Sequence, residues 1–339
     1  MKLVLIERYK FLIYVIFVIN NICLCSSCRF VQNDYIDTYE EFKVEDFNLK
    51  CTKSHEYDAF LFFTDPHCLG YWYDTISWEE NLNKKIDRIE EIYSLSKAQF
   101  VVSGGDWLNC LDTQDEAKCK LKKTNERFKS SFSLSYLVLG NHDTNYQGYK
   151  NMKDRELGKY NGTLSNEEIL KLLFSEFGNI YYKFQTKNTS YYVLNTGIEW
   201  QPKMDEYRWS QLEWLAKELK SDDSKHISIF QHIVLSNNKL FDFAIYEGKL
   251  LEAYNSRSLL ELGSGEKFDF TDCTGHVDFI MAGHTHKDTC VIVGGVPAII
   301  VRTAKEEIPS FDLVLVDYAE NKIYCERFGK GNNREFVLK

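Results

Sequence analysis

The apolar run Leu134–Leu139 stops at Gly140, and an amide, an imidazole and a carboxylate follow at once in Asn141, His142 and Asp143. Short apolar runs that break at glycine read as buried strands of an α/β sheet. In such sheets ligands gather at the carboxyl ends of the strands. Alone, Gly-Asn-His-Asp fits a turn with a surface histidine just as well. The pattern recurs, however, in four further places. Ala59–Thr64 runs into Asp65-Pro66-His67, and Gln99–Ser103 into Gly104-Gly105-Asp106. His226–Gln231 runs into His232, and Val277–Ala282 into Gly283-His284-Thr285-His286. This punctuation confines the chain to α/β folds in which several strand ends deliver polar side chains to one edge.

The segments between these strands agree. Residues 79–95 place Leu82, Ile86, Ile89 and Tyr93 on one helical face. The strand–helix–strand succession from 59 to 103 implies a parallel pair with a right-handed crossover. Residues 110–130 read as a loop and then a helix, and Tyr191–Asn195 as a strand. Ser210, with Glu213 three residues on, reads as the N-cap of a helix Gln211–Lys220 that buries Leu212, Leu215 and Leu219. Cys290–Val293, Ala298–Arg302 and Phe311–Val316 read as closing strands. Asn161 and Asn188 fit the glycosylation pattern.

At the N-terminus, Lys2, Arg8 and Lys10 precede the apolar run Phe11–Ile19 and a small-residue stretch ending at Cys28. This is the order of a secretory signal, and the run is shorter than the roughly 20 residues of a membrane span. We expect residues 1–27 to be a signal peptide, 28–55 a polar tether and lead-in, and 56–339 the functional domain. The protein is then exported: secreted, periplasmic or surface-anchored by a lipid on Cys28. Simple secretion and lipidation both stay open, and membrane contact is expected only through the signal or such an anchor. Export permits disulfides. Cys110 and Cys119, flanking a polar loop, are the first pair to expect, with free buried thiols as the alternative. The net charge of −9, without any basic run, argues against a nucleic-acid polymer as partner.

The strand ends together carry Asp65, His67, Asp106, Asn141, His142, His232, His284 and His286. Five of the chain's 8 histidines lie there. His55, His226 and His276 have no comparable setting and read as surface or core residues. Carboxylate, imidazole and amide donors in one place suit borderline metals better than calcium. There are too many donors for one tetrahedral ion, and they fit two metals sharing a carboxylate.

The five blocks Asp65-x-His67, Gly105-Asp106, Gly140-Asn141-His142-Asp143, His232 and Gly283-His284-x-His286, in this order, resemble the calcineurin-like metallophosphoesterases. The resemblance implies a four-layer α/β/β/α sandwich with two central mixed sheets and a dinuclear metal site at the strand ends. It implies that Asp65, His67, Asp106 and His286 hold one divalent transition metal (Mn, Zn, Fe or Ni). Asp106, Asn141, His232 and His284 hold the other, with Asp106 bridging. His142 would protonate the leaving oxygen, and Asp143 would orient or tune His142. A hydroxide held between the metals would attack phosphorus. The substrate would be a small-molecule or headgroup phosphoester. A phosphodiesterase is the first reading, a phosphomonoesterase or nucleotidase the alternative, and a non-catalytic binding module a further one. Asn109 stands where purple acid phosphatases carry a tyrosine ligand, so that subtype is not expected. Tyr71, Trp72, Tyr73, Trp78 and Trp107 either wall a substrate pocket or fill core and loop.

Overall fold

A computed structural model describes residues 28–68, 76–110, 112–146, 162–197, 204–234 and 242–338. The signal-like segment 1–27, the aromatic cluster Tyr71-Trp72-Tyr73 and Asn161 therefore lie outside the described residues. The chain divides into two compact units, Met1–Asp46 and Phe47–Lys339. The segment expected as a tether forms a helix instead, α1 (Cys28–Lys53). Its apolar set is sparse, with the buried Val44, Phe47 and Cys51 spaced along its last turns in a polar sequence, which is why pattern reading missed it. Among the described residues no helix is long and apolar enough to cross a membrane.

In the second unit, β1 (Tyr57–Phe63), β2 (Phe100–Ser103) and β3 (Ser135–Leu137) run parallel. They are joined through α2 (Trp78–Leu95) and α3 (Gln114–Ser131). A short α4 (Asn166–Leu173) leads to β4 (Tyr182–Gln185) and β5 (Thr189–Val193). Next come α5 (Met204–Ser221), β6 (His226–Phe230), α6 (Asp242–Asn255), the hairpin β7 (Leu259–Glu261) and β8 (Lys267–Asp269), and β9 (His276–Ala282). The chain closes with β10 (Thr289–Val293), β11 (Val296–Ile300), β12 (Phe311–Asp317), β13 (Lys322–Phe328) and β14 (Arg334–Val337). Two six-stranded mixed sheets result, ordered β14-β13-β12-β1-β2-β3 and β10-β11-β9-β6-β5-β4.

The layers follow from side-chain alternation along strands buried on both faces. Phe60 and Phe62 of β1 meet Phe230 of β6 at 5.4 and 5.9 Å, between the sheets. The odd-numbered Phe63 turns the other way, onto Trp107 and onto Phe128 of α3. In the second sheet, Tyr191 joins the inter-sheet layer against Phe100 and Phe230. The outward Tyr192, Ile227 and Ile229 pack with Leu212, Leu215 and Leu219 of α5 and with Leu250 and Tyr254 of α6. Two sheets lie face to face, each backed by helices, as expected. Trp107 is buried core and not a pocket wall.

Helix starts are set by caps. Ser77 accepts the Glu80 amide ahead of α2, and Thr113 forms a reciprocal capping box with Glu116 ahead of α3. The expected cap at Ser210 is different: it lies inside α5, which starts at Met204. Cys110 and Cys119 are both free thiols. Cys110 is buried with its Sγ toward the His142 carbonyl, and Cys119 is exposed on α3. Asn188 donates its amide to Tyr57 O (2.8 Å) and Asp58 Oδ1 (3.2 Å), so its nitrogen is already engaged.

Candidate metal centre

Every parallel strand carrying a predicted donor ends at the same edge. Beyond the regular ladders, the loops stay joined by backbone bonds. Asp65 N donates to Gly105 O, His67 N to Asp106 O, and Gly283 N to His232 O. Cross-sheet bonds close the gap: His284 N donates to Asp65 Oδ2 (2.9 Å), and His232 Nδ1 to Gly104 O (2.6 Å). Thr303 Oγ1 donates to Asp65 O (2.7 Å). Glycine makes the close approach physically available. A Cβ on Gly140 would run into the Asp106 backbone and carboxylate, and one on Gly283 into Thr64 and Asp65.

The backbone itself is unusual at these positions. Among the described residues, nine non-glycine residues have positive φ, and five are Asp65, His67, Asp106, His284 and His286. Left-handed backbone at a β-carbon-bearing residue costs roughly 1–2 kcal/mol. Its concentration in a few loops means that the surrounding bonds impose it.

Each aspartate gives one oxygen to the protein and keeps one bare. Asp65 Oδ2 accepts from Thr64 Oγ1 and His284 N, and Asp106 Oδ1 accepts from His142 N. Asp65 Oδ1 and Asp106 Oδ2 are buried and accept no aligned hydrogen bond. Imidazole nitrogens crowd them. His286 Nε2 is 3.1 Å from Asp65 Oδ1, His232 Nε2 is 3.1 Å from Asp106 Oδ2, and His67 Nε2 is 3.8 Å from Asp106 Oδ2. His67 Nε2 and His286 Nε2 stand 3.1 Å apart, and Asn141 Oδ1 lies 3.1 Å from His232 Nε2. Buried carboxylate oxygens with no aligned hydrogen bond, crowded by imidazole nitrogens, form a cage for positive charge.

The donors fall into two groups, Asp65–His67–His286 and Asp106–His232–His284. Asp106 Oδ2 stands between the imidazoles of both groups. The far nitrogens of two rings are fixed by carbonyls, His232 Nδ1 by Gly104 and His67 Nδ1 by Leu108 at 3.0 Å. That tautomer leaves Nε2 free to ligate. The donor set therefore fits two divalent cations.

Electrostatics point the same way. Burial would lower His232, but the charges of Asp106 and Asp65 outweigh it and raise it to about 10. Burial would likewise raise Asp106, yet the His232 charge holds it well below the usual carboxylate range. Burial keeps His284 at about 4 and also lowers His67, so both are neutral ligands at pH 7. The pocket attracts positive charge.

His142 lies over His67, ring centroids 4.9 Å apart, and its Nδ1 has no hydrogen-bond partner. Asp143 does not reach that ring, contrary to expectation. Its Oδ1 accepts from the amides of Trp107 (2.7 Å) and Leu108 (3.3 Å), and its Oδ2 from those of Asp106 (2.9 Å) and Gly140 (3.0 Å). It is a clamp that ties the β2 and β3 loops together. Burial and the nearby Asp106 raise its carboxyl to about 7 despite those donors. Sequence reading also missed Thr64 and Thr303, which hold Asp65, and Lys305, whose Nζ is 3.4 Å from His286 Nδ1. Nothing in the local pattern around these residues marks them.

Of the remaining histidines, His55 is exposed, and the other two are structural. His226 and His276 share Asp278 at 2.8 and 3.0 Å, and His226 stacks on Tyr318.

The sequence profile of the calcineurin-like phosphoesterases matches residues 59–288, the span from β1 to just past the last donor loop. No curated protein matches the chain. Among solved structures, a dimetal phosphatase from Danio rerio superposes with a TM-score of 0.53 at 14% identity, covering 83% of this chain and 99% of that one. A purple acid phosphatase from yellow lupin (Lupinus luteus) seeds gives 0.49 at 14% identity, over 83% of this chain but only 54% of its own. The profile match takes in every strand that ends in a donor and all five donor loops. The chain belongs to the calcineurin-like phosphoesterase family, hydrolases of phosphoric esters.

Proposed function

We propose that this chain is an exported two-metal phosphoesterase acting on small-molecule or headgroup phosphoesters, with diesters as the first substrate class. Asp65, His67 and His286 would hold one cation. His232, His284 and Asn141 would hold the other, and Asp106 would be shared. The observation that carries the reading is the pair of buried, donor-free oxygens, Asp65 Oδ1 and Asp106 Oδ2, each faced by imidazole Nε2 atoms at 3.1 Å. When bound, two cations supply positive charge for the phosphoryl oxygens and bring a water's pKa near neutrality. The protein's own residues do the rest. His142, half-buried with its ring edge-on to that of His67, donates the proton to the leaving oxygen. Asp143 fixes the loop that carries Asp106. The left-handed loops keep the carboxylates aimed inward without reorganisation. Export is supported by the basic residues Lys2, Arg8 and Lys10 ahead of the apolar run Phe11–Ile19, with Cys28 as the lipid attachment point if the mature chain is anchored.

The test is elemental analysis of the untagged protein, paired with turnover of bis(p-nitrophenyl) phosphate and p-nitrophenyl phosphate under added manganese, zinc or nickel. Two metals per chain with the diester preferred supports the proposal. Monoester preference moves it to a phosphatase or nucleotidase. No bound metal and no turnover under any metal leaves a binding module.

A further inference from the structure

A second feature of the same edge concerns substrate choice, and it rests on the phosphoesterase reading above. The segment after β11 passes the metal centre as Arg302-Thr303-Ala304-Lys305-Glu306, and its backbone is held from several sides. Thr303 Oγ1 donates to Asp65 O and accepts the Lys305 amide at 3.1 Å. Ala304 N donates to Thr64 O. From α2, the buried Lys85 Nζ donates to Ala304 O (2.5 Å) and Glu306 O (2.7 Å), on either side of Lys305.

The side chain of Lys305 is nonetheless exposed. It reaches His286 Nδ1 at 3.4 Å, one imidazole ring away from the nitrogen that faces the cation cage. Two other cations, Arg302 on the same segment and Lys330, are neutralised. Arg302 lies 3.7 Å from both Asp288 and Glu306, and Lys330 lies 3.8 Å from Glu306. Among the described residues, no carboxylate comes within ion-pair distance of Lys305.

The contact to His286 is not one that a ligated site retains. When His286 gives its Nε2 lone pair to a cation, its proton sits on Nδ1. Two donors then face each other across that 3.4 Å, with no acceptor between them. Lys305 is left as an ammonium on a rigid backbone at the rim of the site, in a chain of net charge −9. The geometry points to a specificity role: we propose that Lys305 binds a second anionic group of the substrate, beyond the phosphoryl group held at the metal centre. The favoured substrate is then a phosphoester that carries a further phosphate.

The experiment uses the full chain loaded with manganese, as native protein, Lys305→Gln and Lys305→Arg. Metal content is measured on each. Calorimetric titration then gives the dissociation constants of inorganic phosphate and of fructose 1,6-bisphosphate. The expected result is bisphosphate binding about tenfold or more tighter than phosphate in the native protein. Lys305→Gln should abolish that ratio, Lys305→Arg should largely keep it, and all three should hold equal metal. An unchanged ratio in Lys305→Gln overturns the proposal, as does an equal weakening of both ligands. Loss of metal in Lys305→Gln also overturns it, because it would place Lys305 in support of His286. Absence of turnover on any phosphoester would remove the enzymatic reading, while these titrations would still decide the role of Lys305.

Discussion

Asp143 shows how far a residue's job depends on its neighbours. From its place after His142 it reads as the partner of that imidazole. In the fold its two oxygens serve four backbone amides, from Asp106, Trp107, Leu108 and Gly140. Asp143→Ala should therefore behave as a stability mutant. Four buried N–H groups would lose their acceptor, and the expected loss is about 3 kcal/mol or more in urea unfolding. A loss under about 1 kcal/mol would show that water replaces the carboxylate. The ligand and acid roles separate at the adjacent positions. Asn141→Ala should lower metal content toward one per chain. His142→Ala should keep two metals while turnover falls roughly 10²–10⁴-fold, and loss of metal in this variant would reassign His142 as a ligand.

At the scale of elements, the long apolar strands were legible because burial on both faces leaves a continuous hydrophobic run. Ala59-Phe60-Leu61-Phe62-Phe63 is such a run, and it sits centrally in its sheet. Inner strand β13 escaped because Lys322, Glu326 and Arg327 interrupt its apolar run; the other missed strands, β4, β14 and the β7–β8 hairpin, are short or lie at sheet edges. One face of such a strand stays wet, so its pattern weakens to that of an ordinary loop. Helix α1 escaped for a related reason, since in its polar sequence the buried stripe is only Val44, Phe47 and Cys51. The contact between sheets depends on small backbone as well as on large side chains. Gly283→Ala would drive a methyl group into Thr64 and Asp65. We expect a loss of at least about 2 kcal/mol together with reduced metal content. Phe230→Ala, which empties the layer between Phe60 and Phe62, should cost about 3–5 kcal/mol with metal content retained after refolding.

For the whole molecule, stability is linked to both cations and protons. Metal that binds only the folded chain adds about 2.7 kcal/mol per site at one hundred times its dissociation constant. Chelation should therefore lower the melting temperature by several degrees, and the readdition of manganese or zinc should restore it. Lys85 supplies a second linkage. Burial lowers its ammonium from 10.5 to about 8, while it holds the segment that bears Lys305. Below pH 8 both folded and unfolded chains carry the proton, and the burial penalty is complete. Between pH 8 and 10.5 the folded chain releases the proton and the unfolded chain keeps it, so stability rises. The native protein should gain about 3 kcal/mol relative to Lys85→Met across that window. A flat difference would mean that the buried amine stays charged.

The amino-acid order by itself determined the α/β class, the strands that end in Asp or His, and the identity of every donor in the candidate centre. These are local properties: periodicity, a glycine break and the chemistry of the next side chain. Tertiary structure decided which carboxylate oxygen stays bare, which imidazole nitrogen faces inward, and that Asp106 stands between the two groups. It also turned Asp143 into a clamp and brought Lys85 to Ala304 and Thr303 to Asp65, across 219 and 238 residues of chain. Such pairings depend on how two sheets and their helices stack. A hydrogen bond across that distance is fixed by the packing of the intervening core, and no short window of residues records it.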